Sequence, residues 1–470
     1  MNRYLLTTLL LTLFVSVPLV SINAQYLDDI ARTVDGYYGW SIDGRPLADL
    51  IYYILSHGGR IVDLYPITQI ISYMLVGVSS YTLCRHFGLS GAHAVLISIP
   101  AFASPLLLGN MLFRYDSINM SLSILSAVVA FVTSSNENKY YRLISVPLIT
   151  SSMCLYQASV GIFVSATIAC CALTLMSDEF KRACSIALTR AIYFVCGFIC
   201  YKIISIQFGI SGGAKLKSEF IEFNLSGLSM FTESSVRSMQ LVLSAIGSGF
   251  FFVLTCLLLL TIFAWFVRIK NTKYKFIKSF YILVLLILLY ATSFIFVSIV
   301  KNPPIIARSF ISFGFIISMV LILISSSLGR VVSSALSIAL SIFFIGLNSN
   351  IVKSVAETQE LQNDIAKIIA LKLNESSTAV DVTINGWLKT REPTRLRTIE
   401  NPIIRSINWT YFDNQFAPYI ITYSGYKIAR SSKESRALIN SNSSKWEVVY
   451  TSNVFTLYKF NNHAIVELHS

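Results

Sequence analysis

Charged side chains are scarce in this sequence. Only 13% of its 470 residues are Asp, Glu, Lys or Arg, whereas 54% are hydrophobic. An ordinary soluble protein carries about twice that share of charge. A single water-facing domain cannot bury so much apolar surface, so the composition excludes a simple soluble globule and predicts an integral membrane protein.

Several signatures of function are also missing. No cysteine follows Cys256, and the eight cysteines contain no CxxC pair of the kind that binds metal. All eight lie in or beside apolar runs, so we expect buried thiols and no disulfide scaffold. No GxxxxGK[ST] loop occurs, which gives no sign of a nucleotide-driven pump. The apolar runs carry almost no charge, which disfavours an ion-coupled carrier.

Long apolar runs dominate the first three quarters of the chain. A spanning helix needs about 20 such residues, and candidates lie near 4–24, 61–83, 91–109, 116–133, 185–206, 241–267, 279–299, 309–329 and 331–348. The stretch 143–176 makes two short spans if it breaks near Tyr156 and Gln157. The sequence therefore predicts a mainly α, polytopic bundle of about 11 spans.

Basic residues predict the orientation of these spans, since short cytoplasmic loops retain Lys and Arg. With the N-terminus inside, every predicted cytoplasmic turn is basic: Arg85; Lys139 and Arg142; Lys181, Arg182 and Arg190; Arg268, Lys270, Lys273, Lys275 and Lys278; and Arg330. The net charge of +13 thus indicates topology, and nucleic-acid binding is not expected. The first run also resembles a secretory signal peptide ending at Ala24, but both interpretations place 26–60 outside.

The character of the chain changes at about residue 349. Val352 to Leu373 has helical periodicity, and Ala379–Ile384, Trp446–Tyr450, Val454–Phe460 and Ala464–Leu468 alternate like strands, with a turn at Asn461-Asn462. We therefore predict a membrane domain at 1–348 and a small soluble α+β domain at 349–470, on the non-cytoplasmic side.

The first external loop carries an acid pair. Asp28 and Asp29 are adjacent, and Arg32 follows one helical turn later. Two neighbouring carboxylates raise the pKa of one, while Arg32 can keep the other ionised. This pattern favours a general base or a metal ligand. An N-cap with a helix-surface ion pair explains the same spacing.

Other polar candidates fall on the same predicted face. Trp40 and Arg45 could offer an aromatic ring and a guanidinium to a sugar, although tryptophan is also common at membrane interfaces. Arg114 and Asp116 lie in a very short connection, where they act on a ligand or form a structural pair. Tyr156 and Gln157 sit at the helix break, where they could also satisfy freed backbone groups.

Lys301 and Arg308 are cations without a neighbouring acid in the sequence, and they frame another external turn. They could bind a lipid phosphate through charge-assisted hydrogen bonds of about 1.5–3 kcal/mol each. Simple snorkelling toward the interface is the alternative.

The motifs LDDIART, GYYGW, DGRPLADL, NMLFRYD and LYQAS occur in this order. Together they resemble the type II glucosyltransferase family of bacteria and serotype-converting phages, which modifies O-antigen. The resemblance covers roughly residues 1–350 and implies a GT-C-like membrane glycosyltransferase of the bacterial inner membrane, with its active site facing the periplasm. It further implies undecaprenyl-phosphate glucose as donor and O-antigen or lipopolysaccharide as acceptor. A flippase and a donor-making glucosyltransferase of the cytosolic face would be partners from the same system.

The resemblance also suggests roles for the candidate residues. Asp28 or Asp29 matches the position of the family's acidic catalytic residue, with Asp28 preferred. Donor phosphate would be bound by Arg32, Arg114, Lys301 and Arg308, and sugar by Trp40, Arg45, Asp116, Tyr156 and Gln157. No metal ligand is assigned, and help from a divalent cation is left open. A flippase or carrier for a lipid-linked saccharide is the alternative function.

Overall fold

The computed structural model describes residues 3–177, 179–210, 219–268, 275–375, 381–412, 416–426 and 446–469. The described chain is mainly helical. Its α-helices are α1 Arg3–Ser21, α2 Asp29–Asp35, α3 Pro46–Leu55, α4 Ile67–His86, α5 Gly91–Ala103, α6 Pro105–Met111, α7 Ser117–Thr133, α8 Lys139–Leu143, α9 Ser145–Leu155, α10 Val160–Met176, α11 Phe180–Gln207, α12 Leu225–Ile246, α13 Ser248–Arg268, α14 Lys275–Ala291, α15 Ile295–Ser298, α16 Phe313–Leu328, α17 Arg330–Asn374, α18 Glu392–Glu400, α19 Ile403–Ile407 and α20 Ala417–Tyr423.

Seven described helical segments are long and apolar enough to cross a membrane, or eight if the bent pair α5 and α6 counts as one span. This identifies an integral membrane protein. Every predicted span overlaps a helix. Those at 116–133 and 279–299 fall on shorter apolar helices, and α9 has only 11 residues. The count of eleven therefore stays a prediction, because these helices are shorter than the roughly 20 residues that a span needs.

Local sequence explains where the helices break. Pro105 opens α6 after a bend of 61°, since proline fits a first helical turn but cannot continue one. The predicted break at Tyr156 and Gln157 is present: α9 ends at Leu155, Tyr156 is extended with φ −162°, and Gln157–Ser159 form a 3-10 turn. α16 ends at Leu328, and the next residue, Gly329, has φ +93°, a conformation that favours glycine.

The chain divides into two compact units. The first comprises Met1–Ser21, Tyr38–Gly59 and Leu64–Ser349, and the second comprises Ile22–Tyr37, Arg60–Asp63 and Asn350–Ser470. The sequence predicts one domain over 1–348, whereas 22–37 and 60–63 belong to the second unit. In the first unit α4 packs against α1, α5 and α7, and α9 packs against α7 and α11.

The second unit combines helices with a four-stranded sheet. The strands are β1 Asp381–Asn385, β2 Glu447–Thr451, β3 Phe455–Phe460 and β4 His463–Leu468, in the order β1-β4-β3-β2. β1 is parallel to β4, and the other neighbours are antiparallel. The predicted strands and the Asn461-Asn462 hairpin are therefore confirmed, except that residues 379 and 380 lie outside the described range. Asn461 has φ +51°, which asparagine tolerates in a turn.

The first loop contributes to the core of the second unit. Ile30 of α2 is fully buried with Ile369, Ile420 and Val466. The Tyr26 hydroxyl donates to the carbonyl of Ile407, and the Tyr411 hydroxyl donates to that of Gln25 at 2.6 Å. Residues 22–37 therefore fold with the C-terminal domain because their apolar side chains complete its core.

The cysteines only partly follow the sequence prediction. All eight are free; Cys84, Cys154 and Cys171 are buried, whereas the expectation of burial is wrong for Cys184, Cys196 and Cys200. These three lie on α11, most of whose apolar surface faces outward. A helix bordered by lipid has no need to cover apolar side chains with protein.

Candidate functional site

The first external loop is shaped by Asp49. This residue lies in the first turn of α3, and its carboxylate accepts hydrogen bonds from the backbone amides of Gly39 at 2.9 Å, Trp40 at 3.0 Å and Ser41 at 2.6 Å. The Ser41 hydroxyl donates to the same carboxylate. One side chain thus folds the loop back onto α3 and fixes the residues that lead to Arg45.

Arg45 lies between two carboxylates. Its Nη2 is 3.0 Å from Oδ2 of Asp43, and its Nη1 is 3.5 Å from Oδ2 of Asp116. Burial by itself lowers the pKa of Arg45, but Asp116 and, next, Asp43 raise it above its ordinary value. The Asp116 side chain is only 3% exposed, whereas that of Asp43 is 47% exposed. Within the described residues, the ion pair of Asp116 is with Arg45, a different partner from the suggested Arg114.

Gln157 anchors the same loop from the helix break. Its side-chain amide donates toward the carbonyls of Asp43 at 3.1 Å and Gly44 at 3.2 Å, and toward the Tyr201 hydroxyl at 3.0 Å. Gly44 has φ +73°, and a Cβ there would lie 2.8 Å from the Tyr201 hydroxyl. Only glycine fits this turn, because any side chain would be both strained and too close to Tyr201.

Tyr156 and Asn110 fix the backbone of Arg308. The Tyr156 hydroxyl donates to the Arg308 carbonyl at 2.9 Å, and the Asn110 side-chain amide donates to the same oxygen at 3.0 Å. The Arg308 guanidinium lies 4.8 Å from the ring centre of Phe113, a cation–π distance. Burial raises the pKa of Tyr156, while Arg308 and then Arg45 lower it, so both cations lie near this phenol.

These residues form one cluster of the first unit, which we call the polar centre: Asp43, Arg45, Asn110, Asp116, Tyr156, Gln157, Tyr201 and Arg308. Within the described residues, Oδ1 of Asp116 and Oδ1 of Asn110 are buried without a hydrogen-bond partner. Buried polar atoms usually have a partner. The polar centre therefore has spare acceptors, as hydroxyl groups of a sugar would require.

Arg114 and Lys301 have other surroundings. Arg114 is 5% exposed, and its guanidinium lies 4.4 Å from the ring centre of Tyr65. Its carbonyl accepts from the Thr68 hydroxyl at 3.1 Å. Lys301 is exposed, and its backbone amide donates to the carbonyl of Glu219 at 2.8 Å. Among the described residues, no ion pair or hydrogen bond of the Lys301 side chain joins it to the polar centre.

Trp40 differs from the expectation of an accessible ring. It is fully buried, and its ring stacks on Tyr52 with centroids 5.0 Å apart. Tyr52 in turn lies 5.9 Å from Tyr115. Trp40, Tyr52 and Tyr115 therefore form a packed support for the loop, because the hydrophobic effect favours burying such large rings.

The acid pair belongs to the second unit. Oδ2 of Asp28 is 3.0 Å from Nε of Arg32, and the Arg32 guanidinium lies 4.9 Å from the ring centre of Tyr37. Asp29 is 1% exposed, and its carboxylate accepts from the Tyr26 amide at 3.2 Å. The Asp28 side chain is 24% exposed, whereas that of Arg32 is 5% exposed. Asp28 is thus the more accessible carboxylate of the pair.

The acidic side chains of the described residues are not grouped as metal ligands. Within the described ranges, no group of three or more His, Cys, Asp or Glu residues is arranged to hold a metal ion. Asp43 and Asp116 approach each other only through Arg45, whose positive charge already occupies the position between them.

Asp49, Asn110 and Tyr201 were not among the candidates from the sequence. Asn110 and Asp49 were visible inside the motifs NMLFRYD and DGRPLADL, but nothing in their spacing pointed to their partners. Tyr201 is one of two tyrosines in the apolar run 185–206 and has no sequence feature that sets it apart. Its contact with Gln157 joins positions 44 residues apart, which only the packed helices reveal.

The chain matches the family described as Glucosyl transferase GtrII over residues 17–325. A protein of Salmonella phage P22, described as an uncharacterized 55.3 kDa protein in the gtrB 5′ region, is 26% identical over 246 residues, or 51% of this chain and 50% of the phage protein. The chain thus spans about half the length of the curated relative it matches. No solved structure matches it.

The family match contains the whole polar centre, from Asp43 to Arg308. It also contains Asp28 and Asp29, and it covers well over half of the chain. The motifs that suggested the family from the sequence contribute most residues of these two polar sites, whereas Tyr201 and Arg308 lie outside the motifs. This membrane protein belongs to the GtrII glucosyl transferase family.

Proposed function

We propose that this chain transfers a glucosyl residue from undecaprenyl-phosphate glucose to a sugar hydroxyl of O-antigen, at the periplasmic face of a bacterial inner membrane. Membership of a glucosyl transferase family supports glycosyl transfer. The lipid donor, the O-antigen acceptor and the face of the membrane are parts of the proposal.

The observation that carries the proposal is the environment of Arg308. Its backbone is fixed by Tyr156 and Asn110, and its side chain is partly exposed. Within the described residues it has no carboxylate at salt-bridge distance, in contrast to Arg45 with its two. A positioned cation without a protein counter-ion suits an anionic ligand, and a guanidinium matches the oxygens of a phosphate.

The proposed reaction is a single displacement. The acceptor hydroxyl oxygen forms a bond to the anomeric carbon, and the bond from that carbon to the phosphate oxygen breaks. The electron pair leaves with the phosphate, so undecaprenyl phosphate departs and the anomeric configuration inverts. Arg308 stabilises the charge that develops on the departing phosphate, which is often the largest catalytic contribution. Arg114 remains a second candidate for this role.

The hydroxyl proton requires a base. Asp28 is proposed for it because its carboxylate is partly exposed, whereas Asp29 is buried. The ion pair with Arg32 holds the Asp28 carboxylate in position. Such a base contributes about 10²- to 10⁴-fold in rate. Arg32 is better described as the partner of Asp28 than as a free ligand for phosphate, since it is buried against Asp28 and Tyr37.

Sugar binding is proposed for the acceptor atoms of the polar centre. Asp116 and Asn110 each have a buried oxygen without a partner among the described residues. Hydroxyl donors of the glucosyl group would supply the missing hydrogen bonds, and unpaired buried acceptors strongly discriminate against a ligand that lacks them.

The test uses purified full-length protein in detergent with undecaprenyl-phosphate glucose labelled in the sugar. We expect labelled glucose in the lipopolysaccharide acceptor and an equal amount of released undecaprenyl phosphate. Asp28→Asn is the matched inactive variant. Failure to consume the lipid donor would refute the proposal, and transport of intact donor across a vesicle membrane without turnover would indicate a flippase or carrier. Linkage analysis of lipopolysaccharide from cells with and without the gene would identify the sugar.

A further inference from the structure

An open groove lies in the first unit between α3, α9 and α11. Its volume is about 860 Å³, within the range of ligand-binding pockets. The walls include Leu50 and Tyr53 of α3, Thr150 and Cys154 of α9, and Cys200 and Ile204 of α11. These walls are predominantly apolar, so the groove suits a hydrocarbon.

One of the three helices that border this groove, α3, has exposed apolar side chains. α3 has 10 residues, too few to span a membrane, and Leu50 and Tyr53 are 50% and 57% exposed. Exposed apolar side chains beside an apolar groove mark a binding site or a surface covered by lipid. Since α11 is one of the candidate spans, the groove opens at a helix that borders hydrocarbon.

Some residues that line the groove are also neighbours of the polar centre. Ser41 and Asp49 line the groove, and they shape the loop that carries Arg45. On α11, Cys200 lines the groove while the next residue, Tyr201, accepts the hydrogen bond from Gln157. One turn of α11 therefore contributes to both the groove and the polar centre. A ligand with an apolar tail and a polar head would fit the two together.

We infer that this groove holds the isoprenoid chain of the lipid-linked donor, an inference that rests on the proposed function. The argument for this occupant is continuity, because Ser41, Asp49 and Cys200 of the groove are neighbours of the loop and the helical turn that build the polar centre. A chain held there would direct its phosphate toward the polar centre, in which Arg308 has no carboxylate at salt-bridge distance among the described residues. Burial of the chain would contribute to donor binding without entering the chemical step.

The test compares tryptophan substitutions. Ile204→Trp and Leu50→Trp fill the groove from two different helices. Val195→Trp is the control, since Val195 is 52% exposed on α11 and points away from Ile204, at a helical spacing of 100° per residue. Each variant is assayed with glucose on undecaprenyl phosphate and on a two-isoprene prenyl phosphate.

We expect both groove variants to raise KM for the long donor by about tenfold, equivalent to about 1.4 kcal/mol. KM for the short donor and kcat for both donors should stay close to those of the parent protein and of Val195→Trp. Equal effects on both donors, or equal effects of Val195→Trp and Ile204→Trp, would overturn the inference. Using two groove variants keeps the test valid if one of them does not fold.

A second measurement does not depend on sugar transfer. Undecaprenyl phosphate with a photoreactive group in its chain should label peptides of α3, α9 or α11, and Ile204→Trp should reduce that labelling. Unlabelled undecaprenyl phosphate should compete, whereas phosphatidylglycerol should not. Labelling without turnover would support lipid binding in the groove and refute the proposed function. Equal competition by both lipids, or labelling elsewhere, would refute the groove.

Discussion

The hydroxyl of Tyr156 donates a hydrogen bond to the carbonyl of Arg308 at 2.9 Å, across 152 residues of sequence. The Asn110 side chain donates to the same oxygen at 3.0 Å. Arg308 cannot move its backbone without losing both bonds, so its guanidinium starts from a fixed point. Such preorganisation lets a charge stabilise a transition state without first being moved into place.

Replacing Arg308 should weaken the use of the donor. Loss of one or two charge-assisted hydrogen bonds predicts a fall in kcat/KM of about 10- to 100-fold for Arg308→Ala. Arg308→Lys should be intermediate, because lysine keeps the charge but not the planar pair of donors. Steady-state kinetics with undecaprenyl-phosphate glucose measures both variants. Arg330→Ala, at an exposed arginine, is the control, and unchanged kinetics in Arg308→Ala would remove this residue from the proposal.

Tyr156→Phe should lower activity without unfolding the protein. The variant keeps the buried ring but loses the bond to the Arg308 carbonyl, a cost of about 0.5–1.5 kcal/mol in stability. We expect a lower kcat, because only Asn110 would still hold that carbonyl. Tyr141→Phe, at an exposed tyrosine, should match the parent protein. If Tyr156→Phe retained full activity, the fixed position of Arg308 would not matter for the reaction.

The two carboxylates beside Arg45 should differ in their effect on stability. Asp116→Asn removes the buried partner, and breaking a buried pair costs about 3–5 kcal/mol, here reduced because Asp43 remains. Asp43→Asn breaks the half-exposed pair and should cost about 0–1 kcal/mol. Thermal unfolding in detergent should therefore show a clearly lower midpoint only for Asp116→Asn. Equal midpoints would show that burial does not set the strength of these pairs.

Asp28→Asn should abolish most sugar transfer, and Asp29→Asn should do so less completely. A general base contributes about 10²- to 10⁴-fold, and only Asp28 is accessible enough to meet a hydroxyl directly. Asp364→Asn is the matched control, since it is an exposed acid of the same unit. Initial rates of glucose transfer decide the result. Full activity in both first-loop variants would remove the proposed base.

Asp49→Ala should loosen the first external loop. The Asp49 carboxylate accepts three backbone amides, from residues 39, 40 and 41, which protects them from exchange with water. Hydrogen–deuterium exchange should become faster at these amides in Asp49→Ala. Ser41→Ala removes only one hydroxyl contact and should change the exchange less. Exchange rates equal to those of the parent protein would show that α3, and not Asp49, holds the loop.

Composition and local sequence are enough to predict the membrane class, the helix break and the hairpin. Long apolar runs can satisfy the hydrogen bonds of their backbone in lipid only as helices. The apolar runs of the sequence therefore predict the positions of the spanning helices. The break at Tyr156 and the turn at Asn461-Asn462 are local features, visible within a few residues. The motif order was also sufficient to indicate the family, since it depends on residue types alone.

The contacts among the polar residues, in contrast, depend on how the helices pack. Asp116 pairs with Arg45, Trp40 is buried on Tyr52, and residues 22–37 join the core of the C-terminal domain. These outcomes depend on contacts between segments far apart in the chain, where the packing of helices sets the distances. Local periodicity shows which face of a helix is apolar, but the partner that covers a charge or a ring is fixed by the packed fold.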